Sequence, residues 1–242
     1  MSVNWADIVD GTWPAARYER LGPIQLREGQ GGGSRVSAAN ALDPVTEADI
    51  DAAEAAMQAM GQKRIFCLRP GDEALDAQLS ERGYEILDPV NVYSCPIDHL
   101  TGIPIPRVTV FPTWEPLAIM REIWAQGGIG PRRLAVMHRA KGPKTGLLLR
   151  NDDKPAGTGF VAIYDGVAMV HALEILPAHR RQGVGQWAMR AAAFWAMDNR
   201  AHTLSVICTK ANAGANGLYH SLGMEIVGEY HYRQLAQGES PT

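Results

Sequence analysis

Residues 169–189, MVHALEILPAHRRQGVGQWAM, restrict the fold more than any other stretch of the chain. An apolar strand-like run meets a proline, and Arg180-Arg181-Gln182-Gly183-Val184-Gly185 then opens a long helical pattern. A turn of this kind at a helix N-terminus points several unpaired backbone N–H groups the same way, and the helix dipole adds partial positive charge. It is built to hold an anion. Gly183 and Gly185 let backbone approach a diphosphate closely, and Arg180 and Arg181 can add charge from their side chains. No Lys-Ser/Thr pair follows, which excludes a P-loop, and Ala188 stands where a dinucleotide fold would need its third glycine.

Around this segment strand and helix signals alternate. Ile24 to Arg27 and Arg35 to Ala39 read as short strands flanking the Gly29, Gly31, Gly32, Gly33 cluster. Thr46 reads as the N-cap of a helix, with Asp49 three residues on and Gly61 as its stop. Arg64 to Leu68 is a predicted strand, Asp72 to Arg82 a helix ending at Gly83, and Tyr84 to Tyr93 a strand bent by Pro89. Five prolines between Cys95 and Pro116 predict a stiff, extended connection. Helices follow over Glu115 to Ala125 and Arg132 to His138. Strands are expected over Lys144 to Arg150, Thr158 to Tyr164 and Val167 to Leu176. The remaining pattern is helix from Gly183 to Asn199, strand from Thr203 to Cys208, helix from Asn212 to Leu222 and strand from Met224 to Arg233.

Shifting the chain by 140 residues overlays RIFCLRPGDEALDAQLSERGYEI (64–86) on LSVICTKANAGANGLYHSLGMEI (204–226), so that Gly83, Glu85 and Ile86 meet Gly223, Glu225 and Ile226. Identities are few, but strand, helix, glycine stop and strand recur in order, as in a diverged tandem duplication. Two unrelated αβ units would give the same order by chance.

The pattern Arg180-x-x-Gly183-x-Gly185 after a strand and proline resembles the acetyl-CoA pyrophosphate loop of the Gcn5-related N-acetyltransferase (GNAT) superfamily. Downstream, ANAGANGLYHSLGM (211–224) is similar to that family's N-x-x-A-x-x-L-Y-x-x-L-G-F, with Asn212, Ala215, Leu218, Tyr219, Leu222 and Gly223 in place and Met224 where Phe is usual. The resemblance covers roughly residues 108–235. It implies an α/β fold of two GNAT-like halves with mixed, largely antiparallel sheets flanked by helices: a degenerate domain over 1–105 and a catalytic one over 106–242. By the same shift Gly183 maps to Asp43, Gly185 to Val45 and Tyr219 to Leu79, so the first half should bind no acetyl-CoA and would serve to complete the sheet and wall the acceptor site.

The resemblance also implies roles. Amides of Arg181, Gln182, Gly183, Val184, Gly185 and Gln186, next to Arg180, would hold the pyrophosphate, and main-chain groups of Leu173 and Ile175 would pair with the pantetheine arm where two strands splay. Asn212 would contact the cofactor arm, and Tyr219 would protonate the departing thiolate. Attack of an amine on a thioester builds an oxyanion and expels a thiolate, so donors must meet both. Tyr219 as a core tyrosine and Asn212 as an N-cap stay open as alternatives. An alkyl amine must also shed a proton before it attacks. Alternation along Ala168 to Leu176 places Met169, His171, Leu173 and Ile175 on one face and Glu174 on the other unless a bulge shifts the register, as happens in this strand in the family. His171, whose run His171-Ala172-Leu173 is similar to the arylalkylamine acetyltransferase branch, is the first candidate base and Glu174 the second; a buried structural histidine is the alternative. Glu229 to Arg233 would line an amine pocket or form an edge strand, and Trp187, Phe194 and Trp195 are expected in the core.

Charge and composition narrow the partners. With 23 Lys+Arg against 26 Asp+Glu the net charge is 23 − 26 = −3, which excludes a strongly basic nucleic-acid binder. Cys67, Cys95 and Cys208 are too few and scattered for a disulfide framework or a zinc site, and are expected as reduced buried thiols. The N-terminus lacks the apolar core of a signal peptide, and Phe160 to Leu176 is too short and too charged to span a bilayer. The sequence reading is therefore a cytoplasmic N-acetyltransferase, monomer or homodimer, with acetyl-CoA as co-substrate, a small-molecule amine as acceptor and no metal. A protein N-terminal or lysine acetyltransferase and a non-catalytic acyl-CoA sensor remain as alternatives.

Overall fold

The computed structural model describes residues 3–235. In chain order the elements are α1 (Trp5–Thr12), β1 (Arg17–Leu21), β2 (Ile24–Glu28), β3 (Asn40–Ala41), α2 (Glu47–Ala59), β4 (Ile65–Leu68), α3 (Glu73–Glu81), β5 (Tyr84–Pro96), α4 (Asp98–Thr101) and β6 (Val110–Thr113). They continue with α5 (Ala118–Gln126), α6 (Pro131–Arg139), β7 (Lys144–Asn151), β8 (Lys154–Tyr164), β9 (Val167–Ile175), α7 (Val184–Asp198), β10 (Thr203–Thr209), α8 (Ala213–Ser221) and β11 (Glu225–Leu235). The architecture is mixed α/β, with helices flanking largely antiparallel sheets.

The chain divides into two compact units that differ from the linear division expected at residues 105/106. The first holds residues 3–14, 92–208 and 212–228, and the second 15–91, 209–211 and 229–235. The N-terminal helix thus belongs with the C-terminal half. Its Ile8 and Val9 are buried with Val167 and Met169 of β9, and this apolar cluster outweighs sequence proximity.

Within the first unit the strands run β11-β5-β10-β9-β8-β7-β6. The hairpins β7–β8 and β8–β9 are antiparallel, while β10 joins β9 in parallel. Helix α7 covers one face. Its contact surface is made of Ala188, Met189, Ala192, Ala193 and Ala196, packed among Val170, Leu147, Leu149 and Val206. Of the aromatics expected in the core, Trp195 packs against it while partly buried, and Trp187 and Phe194 are half-buried. Alanines let the helix lie close on the sheet, and the larger rings stay at its flanks.

The second unit carries the antiparallel sheet β1-β2-β3 and the strands β4-β11-β5 around a core of Ile24, Leu26, Ile50, Met57, Phe66 and Leu79. Thr46 caps α2 as expected: its hydroxyl accepts from the Asp49 N–H at 3.4 Å, and the Asp49 carboxylate accepts from the Thr46 N–H at 2.9 Å. The strand expected over Arg35 to Ala39 is instead a 3-10 turn at Ser34–Val36, because Gly31 and Gly33 take positive φ (76° and 98°) and coil the chain. The proline-rich connection is also less extended than expected, containing α4 and β6. Pro112 fits in β6 because that strand lies at the sheet edge and pairs with β7 alone.

The 140-residue shift is visible in three dimensions. It carries α3 (73–81) onto α8 (213–221), and each helix is followed by a glycine with positive φ, Gly83 at 79° and Gly223 at 72°. Replacing Thr46 by Ala removes the hydroxyl that accepts from the Asp49 N–H, leaves the bond from its own backbone N–H to the Asp49 carboxylate, and should lower stability by about 1 kcal/mol. A downward shift of the urea midpoint without loss of native α-helical signal checks it.

Candidate active site

The site is built on a defect in β9. His171 stands opposite Phe160 and Glu174 opposite Thr158, so Ala172 and Leu173 together face the single residue Gly159. This is a β-bulge, and Ala172 takes φ 50° to make it. A left-handed alanine costs roughly 1–2 kcal/mol. Trp124 of α5, fully buried, donates its indole N–H to the Ala172 carbonyl at 2.7 Å, satisfying an oxygen that the bulge takes out of the ladder.

The bulge changes which residues share a face. Strict alternation groups Leu173 and Ile175 with His171 and opposes Glu174 to them; the structure reverses this. Leu173 and Ile175 pack toward α7 with Ala168 and Val170, whereas Glu174 follows His171 onto the other side. The Glu174 carboxylate lies where a Cβ on Gly127 would come within 2.9 Å of its carbons, so glycine after α5 leaves room for it. Beyond the bulge the sheet also opens. The β9–β10 register runs from Val167↔Thr203 to Val170↔Val206, while the strands themselves continue to Ile175 and Thr209.

After β9 the chain passes through a 3-10 turn, Pro177–His179, into the loop before α7. Arg181 (φ 62°) and Gly183 (φ 80°) are both left-handed, a combination that turns successive N–H groups toward one side. Gly183 is the N-cap of α7 without a side-chain cap, and the first turn of α7 has no acidic residue. Val184 is buried, Gln186 is exposed, and Gly185 sits under Leu218, whose Cδ2 would lie 2.9 Å from an added Cβ. One side chain expected to add charge for an anion, that of Arg180, is directed elsewhere. Arg180 turns back onto β9, donating to the Ile175 carbonyl at 2.9 Å and pairing with Glu174 at 3.2 Å. Gln182 donates to the Ala178 carbonyl at 2.9 Å and accepts from Asn151 at 2.6 Å, which pins the loop.

The α8 residues gather beside β10. Asn212 is the N-cap of α8, its side-chain oxygen accepting from the Ala215 N–H at 3.1 Å. Tyr219 is buried, with its ring 5.3 Å from that of Tyr93 on β5. Burial, then neighbouring Cys208 and Tyr93, hold its phenol well above the ordinary range, so it stays protonated at neutral pH. Tyr93, missed in the sequence, donates to Asn216 Oδ1 at 2.8 Å and lies 3.1 Å from His220 Nε2. Burial also pushes the Cys208 and Cys95 thiols up to about 11.

His171 is 3% exposed, between the rings of Trp13 (5.0 Å) and Phe160 (6.3 Å), with Nε2 2.9 Å from Thr12 Oγ1. Residues 229–233, expected near the acceptor, are engaged in the second unit. His231 and Arg233 both meet Asp76, at 3.0 and 2.7 Å, and Tyr232 is buried near Arg35 and Cys67. Among the described residues no group of three or more His, Cys, Asp or Glu is placed to hold a metal ion, and no helix is long and apolar enough to cross a membrane.

The chain matches the Acetyltransferase (GNAT) family over residues 114–224. It is 23% identical over 231 residues to the uncharacterized N-acetyltransferase YobR of Bacillus subtilis strain 168, covering 92% of this chain and 94% of that one. Its fold is similar to a GCN5-related N-acetyltransferase from Kribbella flavida (TM-score 0.71, 23% identity, 97% of this chain and 95% of that one). It is also similar to a tandem GNAT protein from the clavulanic acid biosynthesis pathway (TM-score 0.62, 14% identity, 90% and 79%).

Trp124→Phe deletes the N–H that serves the Ala172 carbonyl and trims a fully buried ring system. It should destabilise the protein by about 2–5 kcal/mol, the cost of an unpaired buried carbonyl together with the cavity left behind. Thermal denaturation of the variant against wild type measures it.

Proposed function

We propose that the protein transfers an acetyl group from acetyl-CoA to a primary amine of a small molecule by direct attack, at one site per chain located in the first unit. The observation that carries this reading is the contrast between two helix starts. Helix α7 begins on two left-handed residues with no side-chain cap and no acid in its first turn. Helix α2, its counterpart under the 140-residue shift, begins with a capping box and carries Glu47 and Asp49 in its first turn. The first start suits a diphosphate; the second has its Thr46 N–H served by the Asp49 carboxylate and its Asp49 N–H by the Thr46 hydroxyl, and its acids repel an anion.

The residues present suit the rest of the molecule as well. Main-chain groups of Leu173 and Ile175, past the end of the β9–β10 register, would pair with the pantetheine arm, and the amides of Arg181 to Gln186 would hold the pyrophosphate. Asn212, whose oxygen caps α8, has its amide group for the cofactor arm. Arg180, held by Glu174, would shape the loop and add long-range positive charge.

Acetyl-CoA supplies an activated acetyl carbonyl and a thiolate leaving group. His171, with Glu174 as the second candidate, takes the proton that an alkylammonium must shed before its nitrogen can form the new C–N bond. Tyr219 gives its phenolic proton to the departing sulfur as the C–S bond breaks. The second proton leaving the nitrogen as the amide forms restores the phenol, and one proton passes to solvent overall. The Cys208 thiol beside Tyr219 is not a competing nucleophile: with its pKa at about 11, only about one in 10⁴ is thiolate at pH 7. The cytoplasm, where reduced thiols persist, suits the three buried cysteines.

Calorimetric titration with acetyl-CoA should give one site per chain. No binding would overturn the reading, and two sites would overturn the silent first half. Tyr219→Phe should lower kcat by roughly 10²-fold with little change in acetyl-CoA affinity. An unchanged kcat, measured by thiol release, would remove the acid role from Tyr219.

A further inference from the structure

The base candidate His171 is held by residues that lie some 160 positions upstream and outside the segment matched to the family, at 114–224. Thr12, on the last turn of α1 and fully buried, places its hydroxyl oxygen 2.9 Å from His171 Nε2 and 2.7 Å from the Ile8 carbonyl oxygen. These two contacts settle which side supplies the proton between Thr12 and the ring. Two oxygens 2.7 Å apart in the interior repel unless a hydrogen lies between them, and a carbonyl has none to give. The Thr12 hydroxyl must therefore donate to Ile8, which leaves its lone pairs for His171. Nε2 then has to be the donor.

We propose that Thr12 is a positioning residue that holds His171 in the Nε2–H tautomer, so that Nδ1 carries the lone pair through which the ring takes up a proton. The inference rests on the catalytic reading of His171 for its functional meaning, but not for the tautomer itself. Trp13, the next residue, assists: its ring stacks on the imidazole at 5.0 Å with an interplanar angle of 32°, and Phe160 of β8 flanks it at 6.3 Å and 33°. The aromatic pair sets the ring plane, and the Thr12 bond sets rotation within that plane. A neutral imidazole with the opposite tautomer would set two lone pairs, Nε2 and Oγ1, against each other in a buried place. An imidazole orienter is usually an acceptor such as a carboxylate or carbonyl. Here a threonine serves, because the helix consumes its hydrogen.

The test is a two-bond ¹H–¹⁵N correlation spectrum of the imidazoles in ¹⁵N-labelled full-length protein, with the His171 signal identified by its loss in His171→Gln. Wild type should show neutral His171 protonated on Nε2. Thr12→Val, nearly isosteric, should lose that single-tautomer pattern and lower kcat about tenfold at unchanged acetyl-CoA affinity, while Thr12→Ser restores both. A wild-type ring protonated on Nδ1, or a tautomer indifferent to Thr12→Val, overturns the proposal. The wild-type spectrum decides alone if Thr12→Val does not fold. Should the tautomer respond to Thr12 while His171→Gln keeps full kcat, the base role of His171 falls and the positioning by Thr12 stands.

Discussion

The hydrogen bond from Trp124 to the carbonyl of Ala172 governs how the first unit can present chemistry. A regular β9 would pair with β10 along its length, bury Glu174 among the alanines of α7 and leave no main-chain edge near the glycine turn. One extra residue changes all three. The left-handed Ala172 costs roughly 1–2 kcal/mol, and an orphaned carbonyl there would add about 1–3 more, so without the indole the bulge would tend to anneal away. Fully buried in the α5 side of the unit, Trp124 makes the defect part of the packed structure rather than a fluctuation in it.

The bulge also organises charge. By carrying Glu174 to the side of Gly127 it supplies a partner for Arg180, and that pair turns a cationic side chain away from the start of α7. Backbone N–H groups and the helix dipole are left as the positive charge at that helix start. The pair is largely solvent-accessible on the arginine side and adds little to stability. Its effect is geometric, because together with the Gln182 bonds to Asn151 and Ala178 it fixes both flanks of a loop whose middle, Arg181, is strained.

Much of this was legible in the sequence because the signals are local. The capping box at Thr46 needs only four residues, the stops at Gly83 and Gly223 need one each, and the spacing of Arg180, Gly183 and Gly185 marks a turn that opens a helix. The positive φ of Ala172 could not be read so directly, since alanine is unremarkable in a strand and its cause sits 48 positions away in Trp124. Strict alternation consequently put Glu174 with Val170 and His171 with Leu173. Helix α1 and its membership in the first unit were invisible for a related reason: WADIVDGT carries a short apolar face, and only the matching patch on β9 shows what it covers. Tyr93 likewise looked like one more apolar residue of β5 until α8 brought Asn216, Tyr219 and His220 around it.

Motif and environment therefore come from different parts of the chain. The glycine turn, His171 and Tyr219 all lie within residues 114–224, where family patterns operate. The groups that decide what those side chains can do lie outside it. Tyr93 of β5 packs its ring against Tyr219, and Thr12 and Trp13 contact the ring of His171. A local pattern selects a residue type, whereas protonation state and orientation depend on whatever the fold packs within a few ångströms. In a chain whose compact units are each assembled from three separate segments, that neighbourhood is set by residues from both ends of the sequence. Relatives that keep the glycine turn but carry a different N-terminal helix would retain the uncapped start of α7 and differ first in what surrounds His171.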